Sequence, residues 1–198
     1  MNPDAKLEAA TREAGSGLSD ASPVRRSFAA RFAGALRLDA SVFEEVEHDA
    51  GALPQAALVV ALAGLARGIE MYSEQGWVGA AAGLVAAFVL WLAVTAAVTA
   101  IGVRMLRCSS SFLELLRTLG FAAAPLVALV ICGLPLGTVG TALSVLIHAV
   151  ALGALALAVR QALDVDTTRA LIVCAGAIGF GLALLLLLGT LLWGEPVI

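Results

Sequence analysis

The chain has 198 residues, of which 61% are hydrophobic, with a formal net charge of −3 and a mean hydropathy of +0.97. This hydrophobic fraction lies well above the roughly 45–50% of a soluble domain. The composition therefore excludes an ordinary soluble domain and predicts an all-α polytopic membrane protein.

The first 51 residues carry the only long polar stretch. Residues 1–21 are rich in Ala, Ser, Gly and acidic residues and are predicted to be a disordered tail. Residues 22–51 are predicted to form a helical head. Its first helix, residues 22–38, has an apolar stripe and several arginines, and the candidate membrane-surface residues are Phe28, Phe32, Arg25, Arg26, Arg31 and Arg37. Either this helix lies on an anionic leaflet or it packs on the protein's own membrane domain.

A second short helix is predicted over residues 41–49. Its polar residues, Glu44, Glu45, Glu47, His48 and Asp49, form an acidic face. A metal site there is the less favoured alternative, because no calcium-loop spacing is present and only one imidazole is available. We therefore interpret this face as solvated and predict no metal ligand, cofactor or catalytic residue.

Five continuous apolar stretches follow, and each is long enough to cross a bilayer core of about 30 Å. They are residues 53–69, 77–103, 118–134, 139–159 and 170–193, within a membrane domain assigned to 52–194. Pro125 falls inside the third stretch, which could therefore be kinked or re-entrant. The residues after this domain, 195–198, form a short tail.

The basic residues define the orientation. Eleven of the 12 Lys and Arg residues precede the first span or lie in the second-to-third and fourth-to-fifth connectors; the exception is Arg67. The positive-inside rule then places the N-terminus in the cytoplasm and the C-terminus outside. A re-entrant third segment would remove this asymmetry, so five full spans are predicted.

Few residues offer chemistry inside the predicted spans. His148 is the one ionisable candidate, and we interpret it as bonded to a carbonyl of a neighbouring helix rather than as a proton relay. Thr95, Thr99 and Ser144 are expected to bond carbonyls of their own helices. The three cysteines have no metal-binding spacing, and no nucleophile or nucleotide motif is present, so no enzyme is predicted.

Small residues and one polar connector complete the pattern. GxxxG pairs in spans 1 and 2 are explained by packing within the chain. The connector between spans 4 and 5 is expected to lie near the acidic helix, as a clasp that also binds a partner. The candidate clasp residues are Glu44, Glu45, Glu47, Arg117, Arg160, Gln161, Asp164 and Arg169. The alternative is a connector that only caps its two helices.

Three segments together resemble the Yip (Ypt/Rab-interacting protein) domain family in its bacterial form. They are residues 43–60 (FEEVEHDAGALPQAALVV), residues 116–125 (LRTLGFAAAP), and residues 158–164 (AVRQALD) followed by 167–170 (TTRA). The resemblance covers about residues 36–190. It implies a five-helix membrane domain with a cytoplasmic N-terminus and no catalytic residue.

Eukaryotic members of that family are implicated in binding prenylated Rab GTPases, partly through an Asp-Leu-Tyr-Gly-Pro-type motif. This chain lacks the motif, and one Lys against eleven Arg indicates a GC-rich bacterial source, which argues against a Rab partner. We predict a non-enzymatic scaffold or adaptor in the bacterial cytoplasmic (inner) membrane, with the bilayer and a membrane protein or second copy as partners and no nucleic acid. The alternative is a small transporter or channel component using polar residues around His148.

Overall fold

A computed structural model describes residues 25–193 except Leu106 and Ser109, and the predicted tails at 1–21 and 195–198 lie outside the described residues. The head consists of helix α1, Phe28–Leu36, and helix α2, Ala40–His48. Helix α1 begins at Phe28, where Ser27 caps it by accepting a hydrogen bond from the Ala30 amide; the first residues of the predicted helix, 22–24, lie outside the described residues. The Asp39 side chain caps α2 in the same way, accepting from the Ser41 amide at 3.0 Å.

Five helical segments of the described chain are long and apolar enough to cross a membrane, as predicted. They are span 1 (Ala50–Tyr72), span 2 (Gln75–Gly102), span 3 (Phe112–Gly133), span 4 (Thr138–Leu163) and span 5 (Thr167–Leu191). Apart from these spans and the two head helices, the described residues form turns and short connections, with no strand. The all-α polytopic fold class is confirmed.

The helices themselves have slightly different bounds. A 3₁₀ turn at Ala50–Ala52 leads into one helix, Leu53–Thr99, which runs through spans 1 and 2 with a break at Gly76 (φ 57°, ψ −146°). Span 2 ends in a π-helix, Ala100–Met105. The remaining segments are the α-helix Phe112–Ala122, the 3₁₀ helix Ala124–Gly133, and the α-helices Thr138–Leu163 and Thr167–Trp193.

Span 3 begins six residues earlier than predicted. A capping box starts it: the Ser111 amide donates to the Glu114 carboxylate at 2.7 Å, and the Glu114 amide donates to the Ser111 hydroxyl. The α-helix stops at Ala122, and Pro125 follows in the 3₁₀ segment. With 61% of its apolar window buried, against 22–44% for the other spans, span 3 is the central helix of the bundle.

Spans 1 and 2 pack through their glycines. A Cβ added at Gly83 would lie 2.7 Å from the backbone nitrogen of Gly68, and one added at Gly68 would lie 2.6 Å from the carbonyl oxygen of Ala80. Such distances leave no room for a side chain, so the two GxxxG motifs bring their backbones together within one molecule.

The head is part of the same packed body. Val42, Phe43 and Val46 of α2 are fully buried in a cluster that also contains Phe121 of span 3. We call the side of the membrane domain that carries α1 and α2 the N-terminal face. The connectors between spans 2 and 3 and between spans 4 and 5 lie on this face, and the turn between spans 3 and 4 lies on the opposite face.

Candidate functional site

Arg31 is the centre of a charged cluster on the N-terminal face. Its side chain is 1% exposed, although it belongs to a short helix of the head. Nη2 donates to Glu45 at 2.8 Å and to Asp49 at 2.7 Å, Nε donates to Glu45 at 3.0 Å, and Nη1 donates to the amide oxygen of Gln55 at 3.1 Å. Each guanidinium nitrogen therefore has a partner.

This arrangement joins three parts of the chain. Arg31 lies on α1, Glu45 on α2, and Gln55 at the start of span 1. A buried charge is tolerated only when its partners replace the lost hydration, which here requires all three at once. The cluster therefore makes the position of the head relative to span 1 depend on one side chain.

Two further arginines complete the cluster from the solvent side. Arg25 approaches Asp49 at 3.3 Å, and Arg26 approaches Glu45 at 3.5 Å and Asp39 at 3.7 Å. Three arginines thus face three carboxylates, and their formal charges balance. Because the charge is already neutralised, the cluster has no evident capacity for another ion and fits a structural role.

The pKa values agree with that interpretation. Hydrogen bonds from Arg31 hold the pKa of Asp49 below its ordinary value. Burial works to lower the pKa of Arg31, but the hydrogen bonds to Asp49 and Glu45 outweigh it and leave that pKa raised. Both groups are therefore charged throughout the physiological range.

Arg117 provides a second link, between the head and span 3. Its side chain lies in the buried N-terminal part of span 3, where Nε donates to the Val46 carbonyl at 3.2 Å and Nη2 donates to the Glu47 carbonyl. These carbonyls belong to the last turn of α2, where no amide of the helix itself can satisfy them. Arg117 therefore caps the C-terminus of α2, in the position that suits a cation.

The acidic side of α2 faces two further carboxylates. Burial raises the pKa of Glu47, and the negative charges of Glu114 and Asp164 raise it further. His48 donates from Nδ1 to the Glu44 carbonyl at 2.9 Å; this hydrogen bond raises the pKa of His48, and the neighbouring carboxylates add to the effect. The N-terminal face thus carries a surface, formed by Glu44, Glu47, Glu114 and Asp164, that is predominantly negative.

The connector between spans 4 and 5 caps its own helices. Asp164 ends the span 4 helix in the left-handed conformation (φ 50°, ψ 42°). Asp166 accepts from the Arg169 amide at 3.0 Å and pairs with the Arg169 side chain at 3.2 Å. Arg160 is exposed, Gln161 is half-buried, and in the described structure neither Arg160 nor Arg169 forms an ion pair with α2.

The expected clasp residues therefore divide into two groups. Glu45 and Arg117 are engaged inside the protein, Glu45 with Arg31 and Arg117 with backbone carbonyls. The remaining members lie at or near the surface of the N-terminal face: Glu44, Glu47, Arg160, Gln161, Asp164 and Arg169. The side-chain contacts that link α2 to the rest of the protein are thus made by different pairs from those expected.

Most of the candidate membrane-surface residues contact the protein itself. Phe28 and Phe32 pack against the buried cluster, and the Phe28 ring centroid lies 6.5 Å from that of Phe121. Arg31 is buried, and Arg25 and Arg26 are paired with carboxylates, whereas Arg37 is exposed. This geometry corresponds to the alternative in which α1 packs on the membrane domain.

His148 does not bond a neighbouring helix. Its Nδ1 lies 2.8 Å from the carbonyl of Ser144, one turn earlier in span 4, and its ring is exposed on the outside of the bundle. Thr95 and Thr99 bond carbonyls of their own helix as predicted. Ser144 does not, because its hydroxyl donates to Glu70 at 3.1 Å.

Glu70 lies within the last turn of span 1, one residue beyond the predicted end of the first apolar stretch, with its side chain 17% exposed and paired with Arg67 at 2.5 Å. The Arg67–Glu70 spacing of three residues was the available signal, because it places both charges on one helix face.

The described residues contain neither a disulfide nor a metal-binding group of side chains. Cys108, Cys132 and Cys174 are free thiols. No group of three or more His, Cys, Asp or Glu side chains could hold a metal ion within residues 25–193, outside the gaps at 106 and 109.

The fold and these contacts define the class of protein: an integral membrane protein with five spanning helices and a small helical head docked on one face. A model of the Yip1 domain matches residues 34–188, and the chain belongs to that family. The match includes α2, spans 1–4, most of span 5, Arg117 and the 4–5 connector. No curated protein and no solved structure matches the sequence.

Proposed function

We propose that this protein is a non-enzymatic membrane scaffold that presents its N-terminal face to a protein partner. The observation that carries the proposal is the double fixation of α2. Arg31 links the carboxylates of Glu45 and Asp49 to span 1, and Arg117 holds the last carbonyls of the same helix on span 3. A surface fixed in this way keeps its shape before binding, which reduces the entropy lost on association.

The charge of this surface indicates the partner. Glu44 and Asp164 are exposed and form no ion pair within the described residues, and Glu47 and Glu114 lie beside them. Complementary charge gives specificity and speeds association. We therefore propose a partner that docks with a basic segment, and the exposed Arg160 and Arg169 and the half-buried Gln161 would border that segment.

The membrane that holds the protein and its orientation there are part of the same proposal. We place the protein in the bacterial cytoplasmic membrane, with the N-terminal face in the cytoplasm, because the basic residues gather on that side. His148 is exposed on span 4, and its Nδ1 bonds the Ser144 carbonyl of its own helix. This environment favours a scaffold over a transporter built around His148.

Site-specific photo-crosslinking in native membranes tests the proposal. A photoreactive amino acid placed at position 44 or 164 is expected to capture one defined polypeptide, whereas the same group at the exposed Gln75 on the opposite face captures none of it. The crosslink should weaken as salt is raised, since exposed charges are screened within about 8–10 Å at 0.1–0.15 M salt.

A charge-reversal series supplies the control. Glu44→Lys with Asp164→Lys should abolish the crosslink formed from position 161, while Gln75→Lys leaves it unchanged. Equal capture from both faces, or capture that persists after the double reversal, contradicts a partner bound through the acidic surface.

A further inference from the structure

A cleft of about 280 Å³ lies where span 2 ends on the N-terminal face. It is lined by Ala96, Thr99, Ala100, Arg104 and Phe112. Ala96 lies one turn before Thr99 and Ala100 on the same face at the end of span 2, and Phe112 begins span 3. The walls are almost entirely apolar, and Arg104 is the charged residue among them.

The π-helix at Ala100–Met105 shapes this cleft. A π-turn has more residues per turn than an α-helix, so it changes the direction of the side chains that follow, and such turns are frequent at functional sites. Thr99 is not free to serve the cleft as a donor, because its hydroxyl donates to the Thr95 carbonyl at 2.7 Å. The guanidinium of Arg104 is therefore the group that can bind an anion there.

Arg104 is exposed and takes part in none of the ion pairs formed within the described part of the chain. It lies two residues beyond the end of span 2, where the chain is expected to leave the hydrocarbon core for the lipid headgroups. Ala96 and Ala100 lie deeper, within the span. A cation above an apolar cleft at this depth matches a molecule with an anionic head and a hydrocarbon tail.

We propose that the cleft binds one anionic phospholipid, with its phosphate on Arg104 and part of an acyl chain along Ala96, Ala100 and Phe112. An inorganic phosphate would use Arg104 and leave the apolar walls in contact with water. A phospholipid contacts both Arg104 and the apolar walls, and we therefore propose a lipid rather than a free anion as the occupant.

Native mass spectrometry of the delipidated full chain in maltoside detergent tests this inference. Phosphatidylglycerol and phosphatidylcholine with identical acyl chains serve as probes. The wild-type protein is expected to bind phosphatidylglycerol more tightly, and Arg104→Gln should weaken that binding about 5-fold, the effect of one arginine near an anionic headgroup. Arg107→Gln is the matched control, because Arg107 is exposed in the same connector but does not line the cleft.

A second variant tests the apolar part. Ala96→Leu fills the cleft without changing the charge and should weaken both lipids; Ala100→Leu replaces it if the first variant does not fold. Equal losses in Arg104→Gln and Arg107→Gln would assign the effect to general surface charge and overturn the proposal. Unchanged binding in the folded leucine variant, or displacement of the lipid by millimolar inorganic phosphate, would overturn it as well.

Discussion

The guanidinium of Arg31 lies 2.7 Å from the carboxylate of Asp49, and this pair connects α1 to the residues that lead directly into span 1. Glu45 and Gln55 bind the same guanidinium from two other segments. The head therefore has a fixed position on the membrane domain, and its stability should depend on few side chains.

Arg31→Met is expected to lower the free energy of unfolding by about 3 kcal/mol, since it leaves two partly buried carboxylates without their common partner. Arg25→Gln, which removes an ion pair from a side chain that is 75% exposed, should cost less than about 1 kcal/mol. Thermal unfolding of both variants in the same detergent measures the difference. Equal losses would mean that burial of Arg31 contributes nothing.

Arg117→Met should release the C-terminus of α2. Loss of the two bonds to the Val46 and Glu47 carbonyls is expected to cost about 1–3 kcal/mol, because these carbonyls lose their partner in a buried setting. Hydrogen–deuterium exchange should show faster exchange in α2 and unchanged exchange in span 5. Arg160→Gln, an exposed change, is the control and should alter neither.

Gly83→Ala should separate spans 1 and 2. Its new methyl group would meet the Gly68 backbone within 3 Å, and overpacking of this kind costs about 1–3 kcal/mol. Gly179→Ala is the matched control, because a Cβ there has no atom within 4 Å and alanine favours the helix. Resistance to unfolding by SDS measures both; a loss in Gly179→Ala equal to that in Gly83→Ala would contradict the packing.

The stability of the head should depend on pH. The pKa of His48 is raised in the folded protein, so His48 contributes stability below about pH 6.5 and loses it as the pH rises through the folded value. The pKa of Asp49 is lowered, so Asp49 contributes stability above about pH 3.9, and this is lost as the pH falls through its folded value.

Melting temperatures measured across pH 5–8 should therefore fall towards the alkaline end, and His48→Gln should reduce that decline, to which Glu47, whose pKa is raised by burial, also contributes. The chain has 2 histidines, so His148→Gln is the control and should leave the decline in place. An unaltered decline in His48→Gln would assign the pH dependence to another group.

Single cysteines placed in a cysteine-free background should reveal the orientation. Ser41→Cys, Arg107→Cys and Asp164→Cys are expected to react with an impermeant thiol reagent only from the cytoplasm, and Gln75→Cys only from outside, as the charge asymmetry predicts. Labelling of the cysteine at position 164 from outside would contradict five full spans.

The spans could be predicted because a continuous apolar run of sufficient length has few alternatives in a bilayer. The start of span 3 could not, because Glu114 and Arg117 lower the local hydropathy although Arg117 is buried against α2. The Ser111–Glu114 spacing was a local signal for the correct start. Arg31 gave no such signal, since its partners lie 14, 18 and 24 residues further along the chain.

The change of helix type in span 3 also sets its length. An α-helix of its 22 residues would be about 33 Å long, but the ten residues Ala124–Gly133 rise about 2.0 Å each in the 3₁₀ form and bring the total to roughly 38 Å. Span 4, which packs against it, has 26 residues, and span 5 has 25. The larger rise per residue of the 3₁₀ segment therefore gives span 3, which has the fewest residues of the five spans, a length similar to those of spans 4 and 5.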